Sequence, residues 1–423
     1  VSNQRVVVTG LGFVTSIGNS RESVLASLKE SRTGISLFEP FADPQIPVKL
    51  AGSIKEFTFP STDVEDWTYP GTSRLRREQL RPMTPNSLYA FHAMQQAIAD
   101  AGLNESLVSN ANTSLMCASG GSMWLTYENF KVMVDRGVQF CQPMGVVNGI
   151  PGSLYINLGS IFKIKGGVLG FSSACSSSAH AAGQAYDLIK SGRQERVFVV
   201  GAEDCNIFSI LPFASIRALS PQTDPEVYPC AFDKKRDGFV GTGGAAVLVF
   251  ESEAAAEKRN APVYAEILGW GQSSDGFNVV APEPNGEGLQ RCMVSALAEA
   301  GLNGSDIDYI NAHATGTTIG DLAEARAIDA VFPKDKRPWV SSTKSLTGHG
   351  LSLAGAMELG FTVLALKEKF TPVSAHVTEL DPACACIPVV TKPIPDAPKI
   401  AMSNSSGFGG SNVSVIARAW PHA

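Results

Sequence analysis

Long apolar runs are missing from this chain. No segment approaches the ~18 apolar residues that a membrane-spanning helix needs, and residues 1–8 (VSNQRVVV) hold no signal-like apolar stretch. Neither membrane insertion nor secretion is expected. Excess positive charge is missing too: Lys and Arg number 34 against 40 Asp and Glu, a net charge of -6. That disfavours a nucleic-acid binder built on bulk positive charge. The eight cysteines include no Cys-x-x-Cys spacing, and the nearest pair is Cys384-Ala385-Cys386. Zinc ribbons and thioredoxin-like motifs are thereby disfavoured, and scattered thiols fit reduced cysteines in the cytoplasm. Gly10-Leu11-Gly12 follows an apolar run, but Thr15 stands where a dinucleotide fingerprint needs its third glycine. We read it as a tight turn, and no cofactor is expected.

What is present is an α/β alternation in duplicate. Residues 6–9 (VVVT) read as a strand ending at Gly10-Leu11-Gly12, and residues 263–268 (VYAEIL) as one ending at Gly269-Trp270-Gly271. A helical stretch, 90–100, closes with Ala101-Gly102-Leu103-Asn104; another, 292–299, closes with Ala300-Gly301-Leu302-Asn303. Gly followed by Leu suits a left-handed helix stop with an apolar contact behind it. Two landmarks in the same order suggest an internal repeat. The halves are expected at 1–253 and 262–423, with an insertion at about 34–82 in the first and the polar segment 251–260 between them.

Three groups of residues have the makings of a reactive site. An apolar strand over 167–174 leads into Cys175, and a small-residue helix follows, running to Lys190 and stopping by Gly192. A helix N-terminus would stabilise a thiolate and offer N–H donors to an oxyanion; a buried structural cysteine is the competing reading. His313 follows a strand expected at 307–311, and His349 follows Lys344-Ser345-Leu346-Thr347-Gly348. Each alone is more often structural, but together with Lys344 they resemble a site assembled from loops at strand ends. His180 is read as structural. The cluster Ser405-Ser406-Gly407-Phe408-Gly409-Gly410 is either a tight turn or a gate built around Phe408.

These motifs, with residues 232–240 (FDKKRDGFV), resemble the β-ketoacyl-ACP synthases from Val6 to about Arg418. Gly243-Gly244 and residues 403–406 (SNSS) resemble type I more than type II members. The resemblance implies the thiolase fold, an α/β arrangement of two βαβαβαββ halves in five αβαβα layers, usually as a homodimer. It implies decarboxylative Claisen condensation of an acyl chain with malonyl-ACP, with acyl carrier protein as partner and no nucleic acid. Cys175 would accept the acyl group; His313 and His349 would hydrogen-bond the malonyl thioester oxygen as neutral imidazoles. Backbone N–H groups of Cys175 and Phe408 would form the other oxyanion hole, with Phe239 and Phe408 flanking the carboxylate or gating the acyl pocket. Lys344, paired with Glu324, would set the local field, with Asp321 supporting. Thr315 and Thr317 would bind the phosphopantetheine arm. Asn311, Glu358, Ser403 and Asn404 match the positions of a structural cation. Carrier docking is expected at Arg74, Arg76, Arg77, Arg81, Lys131 and Arg136, against the plainer reading of a solvated helix face.

Ala314 and Ser352-Leu353 depart from the family's usual Gly and Gly-Ala at those places. They leave acyl length open and fit a synthase of a polyene or polyketide pathway as well as one of fatty acid elongation. A CoA thiolase would need a second, glycine-flanked cysteine, which Cys384-Ala385-Cys386 does not supply. A chain-length-determining dimer partner would usually lack the nucleophile.

Overall fold

The computed structural model describes residues 4–71 and 75–420. Ten strands form one sheet: β1 Val6–Val14, β2 Thr113–Ala118, β3 Val168–Phe171, β4 Arg196–Glu203, β5 Gly244–Ser252, β6 Ala265–Ser274, β7 Tyr309–Asn311, β8 Trp339–Ser341, β9 Ile400–Gly407 and β10 Ser411–Ala419. Their order is β8-β7-β9-β10-β6-β1-β5-β4-β2-β3. Read outward from the centre, β1-β5-β4-β2-β3 and β6-β10-β9-β7-β8 follow one and the same path. The antiparallel pairing of β1 with β6, from Val6↔Ile267 to Val8↔Ala265, joins the two.

The six main helices are α1 Pro85–Asp100, α2 Ser153–Ile161, α3 Ser177–Lys190, α4 Glu287–Ala300, α5 Thr318–Val331 and α6 Ala354–Glu368. Each half thus runs βαβαβαββ. Helices α3 and α6 pack on each other and on strands of both halves, while α1 and α2 cover one outer face and α4 and α5 the other. This is the five-layer αβαβα arrangement. The middle layer explains the apolar composition of α6, in which every residue from Ala354 to Leu366 is buried; a helix enclosed on all sides has no polar face to keep. Three cores follow from the layering, one around α3 and α6 and one beneath each outer pair of helices.

The glycines at the start of each half are not turns. β1 runs through Gly10 and Gly12, and β6 through Gly269 and Gly271. A Cβ on Gly12 would lie 1.8 Å from the Ala93 carbonyl oxygen, and one on Gly271 would lie 2.2 Å from that of Cys292. Both pairs let the first helix of their half lie directly on the strand. The expectation of a turn failed because close packing and tight turning both demand glycine. The helix stops read correctly, with Gly102 and Gly301 at φ 64 and 66. Within the expected insertion, the described residues form a small hairpin, Ile35–Leu37 with Leu50–Gly52, and send Phe57, Val64, Trp67 and Leu80 into the core beneath α1 and α2.

Candidate active site

Parallel strands place the reactive side chains together, because the loops at their carboxyl ends open on one side of the sheet. Cys175 lies between β3 and the start of α3, His313 two residues past β7, and His349 beyond the short helix Lys344–Thr347 that follows β8. His349 Nε2 stands 3.0 Å from Cys175 Sγ. The rings of His313 and His349 are 5.3 Å apart and nearly perpendicular, and Phe239 meets His349 edge-on at 5.1 Å. A cavity of about 330 Å³ reaches these groups, with Thr315, Thr317 and Phe408 also on its wall.

Burial sets the protonation states. It pushes the Cys175 thiol up to about 12, although the nearby Lys344 charge pulls the other way. The resting group is a neutral thiol, so desolvation outweighs the helix N-terminus that the sequence argument relied on. Both histidines are held well below the usual imidazole range, first by burial and then by Lys344. Two neutral rings, each free to hold a proton on one nitrogen, are hydrogen-bond donors to a developing oxyanion.

Lys344 is 1% exposed and pairs with Glu358, not with Glu324. Glu324 instead accepts the backbone N–H groups of His313 at 3.0 Å and Ala314 at 2.7 Å, together with Asn404 Nδ2 at 3.2 Å. The sequence pointed to the wrong partner because α5 turns Glu324 toward the loop backbone, while α6 carries Glu358 beneath the lysine. Asp321 works on the same loop: its oxygens accept from Gly316 and Phe232 N–H at 3.1 and 2.9 Å. Carboxylates on buried N–H groups hold the segment 313–318 in shape, and Thr315 and Thr317 sit with their hydroxyls 3.2 Å apart.

Residues 3–256 match the beta-ketoacyl synthase N-terminal domain and residues 264–378 the beta-ketoacyl synthase C-terminal domain. The chain belongs to the β-ketoacyl synthase family. It is 40% identical to the 3-oxoacyl-[acyl-carrier-protein] synthase 1 of Haemophilus influenzae, over 98% of each chain. It is 38% identical to the enzyme of that name from Escherichia coli K12, over 98% of this chain and 99% of the other. Among solved structures it is similar to a beta-ketoacyl synthase from Burkholderia phymatum, with a TM-score of 0.89, 32% identity and coverage of 98% and 99%. The ishigamide ketosynthase/chain length factor superposes with a TM-score of 0.87 at 27% identity, over 99% and 100%.

In this β-ketoacyl synthase the Phe408 turn approaches the nucleophile closely. A Cβ on Gly407 would lie 2.7 Å from Ser173 O and 3.0 Å from Cys175 N. Phe408 is 37% exposed and rests on Phe213 at 5.9 Å. The turn is tied to a neighbouring loop, with Gly409 N–H donating to Val279 O and Asp275 N–H to Gly410 O, both at 2.9 Å. Phe213, Arg217, Asp275 and Leu351 also line the cavity. The sequence reading missed them, since they belong to no motif: Phe213 and Arg217 come from the short helix Leu211–Ile216 and its end, Asp275 from just past β6, and Leu351 from just past His349. Ala314 lies on the cavity wall, while Leu353 is buried in the central core and Ser352 hydrogen-bonds Glu203.

Other expected residues lie apart. Arg76 pairs with Glu78 and Arg77 with Glu65; Arg81, Lys131 and Arg136 are exposed, and none of the five lines the cavity. Arg74 lies outside the described residues. Ser403 is the register partner of Asn311, and Glu358 keeps both carboxylate oxygens without a hydrogen bond other than its ion pair. Asn404 points to the opposite face of β9, where it meets Glu324 and Ser414.

Proposed function

We propose that this chain catalyses decarboxylative Claisen condensation of an acyl group with malonyl-ACP to give 3-oxoacyl-ACP in fatty acid elongation. The observation that carries the reading is one buried thiol in contact with one of two neutral imidazoles at the end of a single cavity. Cys175 attacks the acyl thioester, backbone N–H groups of Cys175 and Phe408 receive the oxyanion, and the carrier's sulfur leaves with the proton given up by Cys175. Once the acyl group is on sulfur, His313 and His349 donate to the malonyl thioester oxygen while carbon dioxide leaves. The resulting enolate carbon attacks the acyl-cysteine, expelling the Cys175 sulfur. Burial keeps both rings neutral and the nearby Lys344 adds to it, and Thr315 and Thr317 hold the arm. Phe239 packs His349 in place, and Phe408 gates the cavity.

No organic cofactor enters this chemistry. The unpartnered Glu358 oxygens beside Asn311 and Ser403 suit a structural monovalent cation, which would hold β7, β9 and α6 together; the side chain of Asn404, facing away, would not ligate it. The acidic partner is acyl carrier protein, met by Arg76, Arg77, Arg81, Lys131 and Arg136. A second copy of the chain is the other partner. β3 is an open sheet edge with Leu169 half exposed, and Met123, Tyr127, Phe130 and Val134 stand uncovered on the helix Met123–Arg136; edges and apolar patches of this kind are covered in stable proteins. The reading places the enzyme in the cytoplasm; among the described residues no helix is long and apolar enough to cross a membrane.

Intact-protein mass spectrometry of the purified chain with a panel of acyl-ACPs tests this. A single adduct that needs Cys175 and is discharged by malonyl-ACP is expected, with Cys175→Ala inert. Absence of any adduct would overturn the reading of a self-sufficient synthase.

A further inference from the structure

Three backbone atoms before the nucleophile, Ser173 N, Ser173 O and Ala174 O, are held by hydrogen bonds. Ala174 has φ 51, a left-handed conformation that residues with a side chain rarely adopt. Ser173 N–H donates to Ser177 Oγ at 2.8 Å, and Ser177 Oγ donates to Ala174 O at 2.6 Å. Ser176 Oγ donates to Ser173 O at 2.8 Å and lies 3.0 Å from Ser411 Oγ, just past the Phe408 turn. The Ser173 side chain is held as well: its Oγ meets His180 Nδ1 at 2.8 Å and accepts from Ser176 Oγ at 3.3 Å. His180 is fixed in turn by β6: its ring stands edge-on to Trp270 at 6.2 Å, and Gln272 hydrogen-bonds it. His180 does not line the cavity. It joins the elbow of one half of the molecule to a strand of the other.

The amide N–H of Cys175 faces its own sulfur, and only the missing side chain of Gly407 leaves room against it. Its direction is therefore set by the Ala174 backbone, and that backbone by the bonds just described. We propose that His180 is a positioning residue for acyl transfer: by gripping Ser173 it keeps Ala174 left-handed and aims the Cys175 N–H at the carbonyl oxygen of the incoming thioester. This rests on the condensing reading above. In the step concerned, the Cys175 sulfur bonds to the thioester carbon and the carbonyl electron pair moves to oxygen. The pair then returns, the bond to the carrier's sulfur breaks, and that sulfur leaves with the proton given up by Cys175. An N–H displaced from the oxygen weakens the intermediate without changing the thiol itself.

The test compares wild type with His180→Ala, His180→Asn and Ser173→Ala. Two rates are read at the Cys175 peptide: acylation by acyl-ACP, which needs the oxyanion donor, and alkylation by iodoacetamide, which does not. His180→Ala and Ser173→Ala are expected to slow acylation at least tenfold at saturating acyl-ACP, leave KM and alkylation within about twofold, and lose no more when combined. His180→Asn, which can still reach Ser173 with a polar atom, recovers most of the rate. Should His180→Ala not fold, Ser173→Ala carries the test. Acylation unchanged in the variants, or alkylation falling in parallel with it, overturns the proposal and leaves the condensing reading standing. Failure of the wild type to acylate would overturn both.

Discussion

Burial decides what each reactive residue does at rest. Cys175, His313 and His349 are all neutral because the cavity floor excludes the water that would solvate their charged forms. Lys344 meets Glu358 there, an ion pair with both partners almost fully enclosed. Removing one member of such a pair costs roughly 3–5 kcal/mol, since the other is left without compensation. Lys344→Ala is therefore expected to lower unfolding free energy in denaturant titrations by about 3 kcal/mol. Adding Glu358→Gln should restore part of the loss. Equal stability of Lys344→Ala and wild type would show that Glu358 protonates at no cost. The lysine also depresses both imidazoles, so its loss raises their pKa values.

At the level of elements, the site depends on where backbones can touch. Gly12 and Gly271 bring a strand against a helix in each half, and Gly407 brings the Phe408 turn against the elbow at Cys175. A methyl group at Gly407 would stand 2.7 Å from Ser173 O, a distance that only a backbone shift relieves. Gly407→Ala should thus slow acylation of Cys175 by tenfold or more, as followed by mass spectrometry, while Tm changes by no more than a few degrees. The turn is partly exposed, with Phe408 at 37%, and belongs to none of the three cores, which is why function suffers before stability. A normal acylation rate would mean that the turn adjusts freely.

Across the whole molecule, several carboxyl groups sit in the interior with raised pKa values: Glu203 at about 8 and Asp204 and Asp321 at about 6, each chiefly through burial. Between the ordinary carboxylate range and these values the folded chain holds more protons than the unfolded one. Stability then falls as pH rises through that window, and the loss is complete above about 8. The depressed His313 and His349 act in the opposite sense below the ordinary imidazole range, so the decline is read above it: Tm measured from pH 7 to pH 9 should fall, and Glu203→Gln should flatten the curve. A Tm that climbs over this range would contradict the assignment.

The amino-acid order alone carried the duplication, the helix stops at Gly102 and Gly301, and the positions of Cys175, His313, His349 and Lys344. Such features are local: a strand, a turn residue and a reactive side chain follow one another within a few positions. Other features were set only when distant segments met. The partner of Lys344 is Glu358 because α6 passes through the middle layer beneath it. The thiol is neutral because the packing around it removes its water, and Phe213, Arg217 and Asp275 reach the cavity from segments with no motif to mark them. Burial and long-range contact are properties of packed layers. They have no counterpart in a linear pattern of residues.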